Sequence, residues 1–238
     1  MIRLMFTTDR FFTKIGAAWF LIVMLSVFIA GAGPKLLAIP AVAAVIAMTV
    51  WCIECAYRTE RFVNYANLRM FFNLAYSPLF ATMVTLMLTY KKMKLNALTS
   101  LVMGLAPLVL ALLAYTLAYY WPGKSSALQF QGNRVESNEP AQAVQWWQAG
   151  ASAGLGSVAY PLMKSHGVPM TGLIYVFVFL SLFMIFYHRD NITALRKLKA
   201  REMREKRRFT FMDIERIQAM RAESWLGRLF AIRGRRGS

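Results

Sequence analysis

Acidic residues are scarce in this 238-residue chain. It contains 11 Asp and Glu against 28 Lys and Arg, so its formal net charge is +17. Charged residues of both signs make up only 16% of the sequence, whereas a soluble domain carries about 25%. This shortage excludes an ordinary water-facing surface over much of the protein. The excess of cations predicts an anionic partner, and because apolar residues alternate with the cations, it favours lipid head groups or another protein over direct nucleic-acid binding.

Cysteine and histidine are also rare. The two cysteines, Cys52 and Cys55, form a C-x-x-C pair, and the two histidines, His166 and His188, lie far apart in the sequence. One cysteine pair without a second ligand pair does not predict a zinc or redox site, and two cysteines do not make a disulfide framework. The sequence also contains no phosphate-binding loop, dinucleotide-binding motif or nucleophile elbow. We therefore expect a protein that is not an enzyme and that has no cofactor, no metal and no evident small-molecule substrate.

Long apolar runs are abundant, since hydrophobic residues make up 58% of the chain. Five stretches stand out, at residues 15–30, 36–53, 70–90, 101–121 and 168–187. Each is close to the roughly 20 residues that cross the hydrocarbon core of a bilayer as a helix. Because lipid cannot satisfy backbone polar groups, helices are the expected form. The predicted fold is an all-α, polytopic helical membrane protein with an amphipathic helical tail in the cytoplasm.

The distribution of Lys and Arg predicts the orientation and the division of the chain. Residues 189–238 hold 15 cations and six acids, and the positive-inside rule places such a tail in the cytoplasm. The expected division is an N-terminal membrane region (1–121), an outer, periplasmic loop (122–167), a last transmembrane helix (168–187) and a basic cytoplasmic tail (188–238). With both termini cytoplasmic, the expected location is the bacterial inner membrane.

The third apolar stretch, residues 70–90, complicates this topology. Five full spans with a cytoplasmic tail would place Arg3, Arg58 and their basic neighbours outside. Proline disfavours helical backbone in the residue before it, so the Ser77–Pro78 step favours a re-entrant or interfacial hairpin that returns the chain to the side it left. We therefore expect four spans plus this hairpin, with Arg58 and Lys92 on the same side. Five spans are the alternative.

The tail carries the pattern of two helices. Thr210 and Asp213 match a capping box, and Phe209 and Ile214 match a hydrophobic staple at the start of a helix over residues 210–232. An apolar face and a cationic face would suit the anionic inner leaflet or a groove on a partner. The expected interaction residues of the tail are Phe209, Ile214, Ile217, Arg221, Trp225, Arg228, Leu229 and Phe230.

A second candidate for partner recognition is the Trp146–Trp147 pair in the outer loop. Together with an imperfect third span and a basic tail, this layout resembles that of inner-membrane entry-exclusion proteins of conjugative plasmids. The resemblance covers the plan of the whole chain and includes no diagnostic motif. It implies a protein of a recipient cell that blocks redundant plasmid DNA transfer by recognising a component of the donor's transfer apparatus.

The sequence leaves three functions open. The first is a non-enzymatic inner-membrane protein that recognises or regulates another membrane complex, with conjugative entry exclusion as its specific form. The second is a structural subunit of a secretion or conjugation machine, which would have the same layout. The third, a membrane enzyme or transporter for a lipid or small solute, would require acids, histidines or broken helices that meet at mid-membrane, and the sequence offers little of that.

Overall fold

The computed structural model of the chain describes residues 6, 8, 10–121, 123, 128–137, 170–225 and 227–228. This part is mostly helical. It contains helices α1 (Phe11–Ala32), α2 (Ala38–Ile53), α3 (Phe62–Leu86), α4 (Ala97–Tyr120), α5 (Met170–Tyr187), α6 (Arg189–Glu205) and α7 (Ile214–Glu223). Three short strands, β1 (Leu128–Gln131), β2 (Arg134–Ser137) and β3 (Thr210–Phe211), form a small sheet. The helical membrane architecture agrees with the prediction, whereas the sheet was not predicted.

Four helical segments are long and apolar enough to cross a membrane, namely Phe11–Ala32, Lys35–Arg58, Phe62–Lys92 and Ala97–Tyr120. The second and third include turns of wider, π-type helix, which extend α2 to Arg58 and α3 to Lys92. The fifth apolar helix, α5, has 18 residues. At 1.5 Å per residue, α3 alone is about 37 Å long, which exceeds the roughly 30 Å of a hydrocarbon core.

The predicted re-entrant hairpin at residues 70–90 is wrong. Pro78 lies inside the continuous helix α3, and α3 is the most enclosed of the four long helices. It packs against α1, α4 and α5, and the hydroxyl of Ser77 donates a hydrogen bond to the carbonyl of Phe177 on α5 at 2.9 Å. A helix surrounded in this way tolerates proline, because neighbouring helices cover the disturbed turn. Arg58 and Lys92 consequently lie at opposite ends of the bundle.

The sheet lies at one end of the helical bundle, which we call the module end. β1 and β2 form an antiparallel hairpin with a two-residue turn, and Gly132 at that turn has the positive φ of 60° that such turns favour. β3 is parallel to β2, with Arg134 opposite Thr210 and Val135 opposite Phe211. The backbone of Phe62, at the start of α3, donates to the carbonyl of Phe209 at 3.0 Å. The start of α3 therefore contacts the tail directly.

This pairing corrects the predicted outer loop. The backbone N–H of Thr210 donates to the carbonyl of Asn133 at 2.9 Å, so residues 128–137 lie at the same end of the bundle as the tail. They cannot belong to a loop on the opposite side of a membrane. Residues 138–169 lie outside the described part of the chain, and so does most of the predicted outer loop. Phe6, which packs against Phe62, lies at the module end too.

Candidate functional site: a basic module at one end of the bundle

The three strands, α6 and α7 form a compact unit that we call the basic module. An aromatic cluster joins it to the membrane helices. The ring of Phe211 on β3 makes edge contacts with Phe11 of α1 and with Phe62 and Tyr65 of α3, at centroid distances of 5.5–5.7 Å. All four side chains are fully buried. Because aromatic rings bury large areas and pair with defined geometry, this cluster fixes the module on the bundle.

A buried carboxylate holds α6 against the start of α3. Glu202 accepts a hydrogen bond from the guanidinium of Arg61 at 2.6 Å and another from the backbone N–H of Phe209 at 3.0 Å. Just after α6, Lys206 takes the left-handed backbone conformation with φ of 50°. The chain turns there, and this turn brings Phe209 back to the carboxylate. Glu202 thereby ties three separate parts of the sequence together.

Arg221 on α7 performs a similar role at the end of α2. Its guanidinium donates to the carbonyls of Cys55, Ala56 and Thr59 at 2.7–3.3 Å. These carbonyls lie where the helix ends and lack partners of their own within it. Burial lowers the pKa of Arg221, but a guanidinium stays charged in a protein. A cation at the carboxyl end of a helix also interacts favourably with the helix dipole.

The hairpin is tied to α7 by an exposed ion pair. The guanidinium of Arg134 contacts both carboxylate oxygens of Glu215 and also donates to the carbonyl of Met212 at 3.1 Å. The hydrogen bonds from Arg134 are the main reason why the pKa of Glu215 lies below its usual value. This contact fixes the position of the hairpin relative to α7.

A cavity of about 380 Å³ opens between the hairpin and α6. Its lining combines an apolar floor with cationic side chains, and consists of Leu128, Phe130, Ala194, Lys197, Ala200, Arg201 and Arg204. Arg201 lies over the rings of Phe130 and Phe209 at 4.6 and 5.3 Å, and its Nε donates to Glu205 at 2.7 Å. Stacking and this ion pair hold the guanidinium of Arg201 in one orientation before any ligand binds. The cavity can hold an anionic group against an aromatic surface.

The expected interaction face of the tail is used differently from the prediction. Phe209, Ile214 and Ile217 are buried within the chain itself, so they cannot dock on a leaflet or a partner. The predicted capping box is not formed, because Thr210 belongs to strand β3 and Asp213 makes no side-chain cap before α7 begins at Ile214. Within the predicted helix over residues 210–232, the structure has α7 from Ile214 to Glu223. The chain's own bundle covers Ile214 and Ile217 of its apolar face, whereas Trp225 stays exposed.

The remaining predicted residues have mixed outcomes. Arg221 is buried against the end of α2, as described above. Trp225 is 74% exposed, and Arg228 is exposed with its Nε donating to the carbonyl of Ala222 at 3.2 Å. Four residues lie outside the described part of the chain: Leu229, Phe230, Trp146 and Trp147. Of the predicted set, Trp225 and Arg228 are therefore the described residues that are accessible to a partner.

The cavity residues were not predicted as a site. The signal was present in the sequence Leu128-Gln129-Phe130-Gln131-Gly132-Asn133, where apolar and polar residues alternate before a glycine-containing turn. In the sequence, the cations of α6 indicate the membrane orientation and an anionic partner in general, but not which of them line a common cavity. Elsewhere, Cys52 and Cys55 are buried free thiols, and among the described residues no group of three His, Cys, Asp or Glu side chains could hold a metal ion.

Comparison of this chain with protein-family models, with curated proteins and with solved structures finds no match.

Proposed function

We propose that this chain is a non-enzymatic protein of the bacterial inner membrane that recognises another membrane complex through its basic module, with conjugative entry exclusion as its specific role. The observation that carries the proposal is the cavity in which Arg201 is held over Phe130 beside Lys197 and Arg204. Arginine and aromatic side chains in a desolvated pocket are typical of the residues that dominate protein–protein binding. The complementary surface on the partner would be an acidic segment.

The orientation that we propose places the basic module in the cytoplasm. Most described cations lie at the module end, including those of α6 and α7 and four from the helix starts and ends: Arg10, Lys14, Arg58 and Arg61. The far end holds Lys35, Lys91, Lys92 and Lys94, in the turns that follow α1 and α3. The positive-inside rule supports the more basic end as the cytoplasmic one.

The structural relation between bundle and module supports a recognition role. The buried aromatic cluster, Glu202 and Arg221 all hold the module in a fixed position on the helices. A binding site on a rigid support loses less conformational entropy on association than a flexible tail would. A cation-lined cavity on such a support favours one complementary partner, because charge complementarity contributes to specificity.

Charge reversal in the cavity tests this function. We expect that recipient cells producing the double variant Lys197→Glu/Arg204→Glu acquire plasmid DNA at the frequency of cells that lack the protein, because an acidic partner would be repelled. The donor should carry the genetic element that encodes this chain, and immunoblotting of membranes should show equal protein levels. The matched control, Arg10→Glu/Arg216→Glu, makes the same change of charge at two exposed positions that do not line the cavity, and should still exclude.

Two outcomes would contradict the proposal. Full exclusion by the cavity variant would show that the cavity does not bind the partner. Equal loss of exclusion in the control would show that overall charge is required rather than this cavity. A photo-crosslinker placed at Ala200, which lines the cavity without carrying a charge, should capture a membrane protein with an acidic segment, and the capture should disappear when the acidic residues of that segment are neutralised.

A further inference from the structure

A second cavity lies between the membrane helices, on the side of the bundle where α2, α3 and α4 meet. It is an apolar groove of about 490 Å³ whose lining includes Trp51, Phe71, Leu74, Pro78, Leu108 and Leu112. Along α3 the lining runs from Asn67 to Pro78, which corresponds to about 16 Å at 1.5 Å per residue. The groove therefore extends from near the module end toward the middle of the bundle.

The end of this groove nearest the module is cationic. Lys199 of α6 lines the groove, and the same residue lines a neighbouring basin of about 500 Å³ on the module. The basin also contains Lys206, Arg207 and Arg208, which follow α6. Its one acidic side chain, Glu202, already accepts hydrogen bonds from Arg61 and from the backbone of Phe209. The apolar groove and the positively charged basin thus meet at Lys199.

Lys199 is half-buried, and no ion pair is found for it among the described residues. Burial lowers the pKa of Lys199, because the partly desolvated ammonium loses hydration. An anionic group placed beside it would offset that cost. Trp51 and Tyr115 line the same groove close to the module end. Because such aromatic side chains favour the level of the lipid head groups, the position of Lys199 is suited to a head-group phosphate.

We propose that this groove and basin together form a binding site for one anionic phospholipid of the leaflet at the module end, with the head-group phosphate at Lys199 and one acyl chain along α3. The apolar lining fits the acyl chain. Of the five cations in the basin, Arg61 is paired with Glu202, and the other four fit the charge of the head group. The proposal is independent of the partner recognition assigned to the other cavity, which lies between the hairpin and α6.

The site can be tested on the full-length protein in nanodiscs that contain phosphatidylethanolamine and phosphatidylglycerol in equal amounts. After gentle extraction, native mass spectrometry counts the phospholipids that stay bound. We expect one phosphatidylglycerol per chain in the wild type. Lys199→Gln should reduce its occupancy about fivefold, which is the effect of removing one cation from an anionic lipid surface. Lys197→Gln, two residues away on the same helix but in the other cavity, is the matched control and should retain the lipid.

A second variant tests the apolar half. Ala75→Phe places a ring in the groove between Phe71 and Pro78, and should displace the acyl chain while leaving the basin unchanged. Equal retention of phosphatidylethanolamine and phosphatidylglycerol by the wild type would overturn the head-group assignment. Unchanged occupancy in Lys199→Gln would overturn the proposal as a whole, and this variant decides the question if Ala75→Phe fails to fold. Crosslinking from position 112 to another protein in place of lipid would likewise contradict it.

Discussion

Arg61 and Glu202 are separated by 141 residues in sequence, yet their side chains form a hydrogen-bonded ion pair of 2.6 Å. The carboxylate is buried, whereas the guanidinium is 40% exposed. Glu202 also receives the backbone N–H of Phe209, so one acidic side chain connects α3, α6 and the segment that leads into the sheet. In a chain with so few acids, this placement makes Glu202 central to the attachment of the module.

Replacing Glu202 should loosen the basic module. We expect Glu202→Ala to lower the stability of the module by about 2 kcal/mol, because Arg61 and the amide of Phe209 both lose their acceptor. This figure is smaller than for a fully buried pair, since water can still reach Arg61. Limited proteolysis in proteoliposomes, followed over a denaturant series, measures the change.

Glu205→Ala is the matched control for this prediction. It removes the partner of Arg201 on the same helix, but both side chains of that pair are about one-third exposed. Its effect should stay within about 0.5 kcal/mol, as for other surface pairs. Equal sensitivity of the two variants would show that Glu202 does not hold the module.

The capping contact of Arg221 can be monitored through a natural thiol. Cys55 is fully buried, and its carbonyl accepts from Arg221 at 3.3 Å. Arg221→Met should leave the carbonyls at the end of α2 without a donor, so the π-type turn would open more often and Cys55 would react faster with a thiol reagent. An increase of about tenfold corresponds to roughly 1.4 kcal/mol of opening free energy.

Cys52→Ala, in the wild-type and the Arg221→Met backgrounds, assigns the reaction to Cys55. Arg221→Lys should give an intermediate rate, because an ammonium keeps the charge but lacks the planar fork that serves several carbonyls. The exposed cation Arg216, changed to Met, should have no effect. If the labelling rate did not change in Arg221→Met, the contact would be dispensable for closing the end of α2.

The helix directions predict a simple accessibility pattern. In a chain with Cys52→Ala and Cys55→Ala, cysteines introduced at Asn133 and at Met212 should be labelled from the same side of the membrane, because β2 and β3 belong to one sheet. A cysteine at Lys91 should be labelled from the opposite side, because α3 separates it from the module. Labelling of positions 91 and 133 from one side would contradict a spanning α3.

The helices could be predicted from hydropathy, because a run of about 20 apolar residues is long enough to cross the hydrocarbon core of a bilayer as a helix. The prediction failed at Pro78, since the penalty for proline depends on whether other helices surround it, and sequence alone does not show that α3 is the enclosed helix. The expectation that Arg58 and Lys92 lie on the same side followed from the same error.

The sheet could not be predicted for a different reason. β3 has only two residues and pairs with a strand more than 70 positions earlier, so no local pattern indicates it. The amphipathic tail was recognised, but periodicity shows only that a face is apolar and not what covers it. Phe209 and Ile217 pack on the chain's own helices. The cations of α6 line the two cavities instead. The site therefore depended on contacts that only the tertiary structure reveals.

The close approach of α3 and α4 depends on Gly104. A Cβ atom at this position would lie 2.7 Å from Cδ2 of Leu86, so a larger residue must displace that side chain or separate the helices. Gly104→Ala should cost about 1 kcal/mol, because both Cδ2 and Cγ of the buried Leu86, at 2.7 and 2.9 Å from the added Cβ, have to move. Gly104→Leu should destabilise the bundle by about 1–3 kcal/mol, as overpacking of a dense interior does. Unfolding in mixed detergent micelles measures both variants.

Adding Leu86→Ala to Gly104→Leu should restore part of the lost stability, since the smaller side chain makes room for the new one. The double-mutant cycle gives this coupling directly. Strictly additive effects of the two substitutions would show that residues 86 and 104 do not set the distance between α3 and α4.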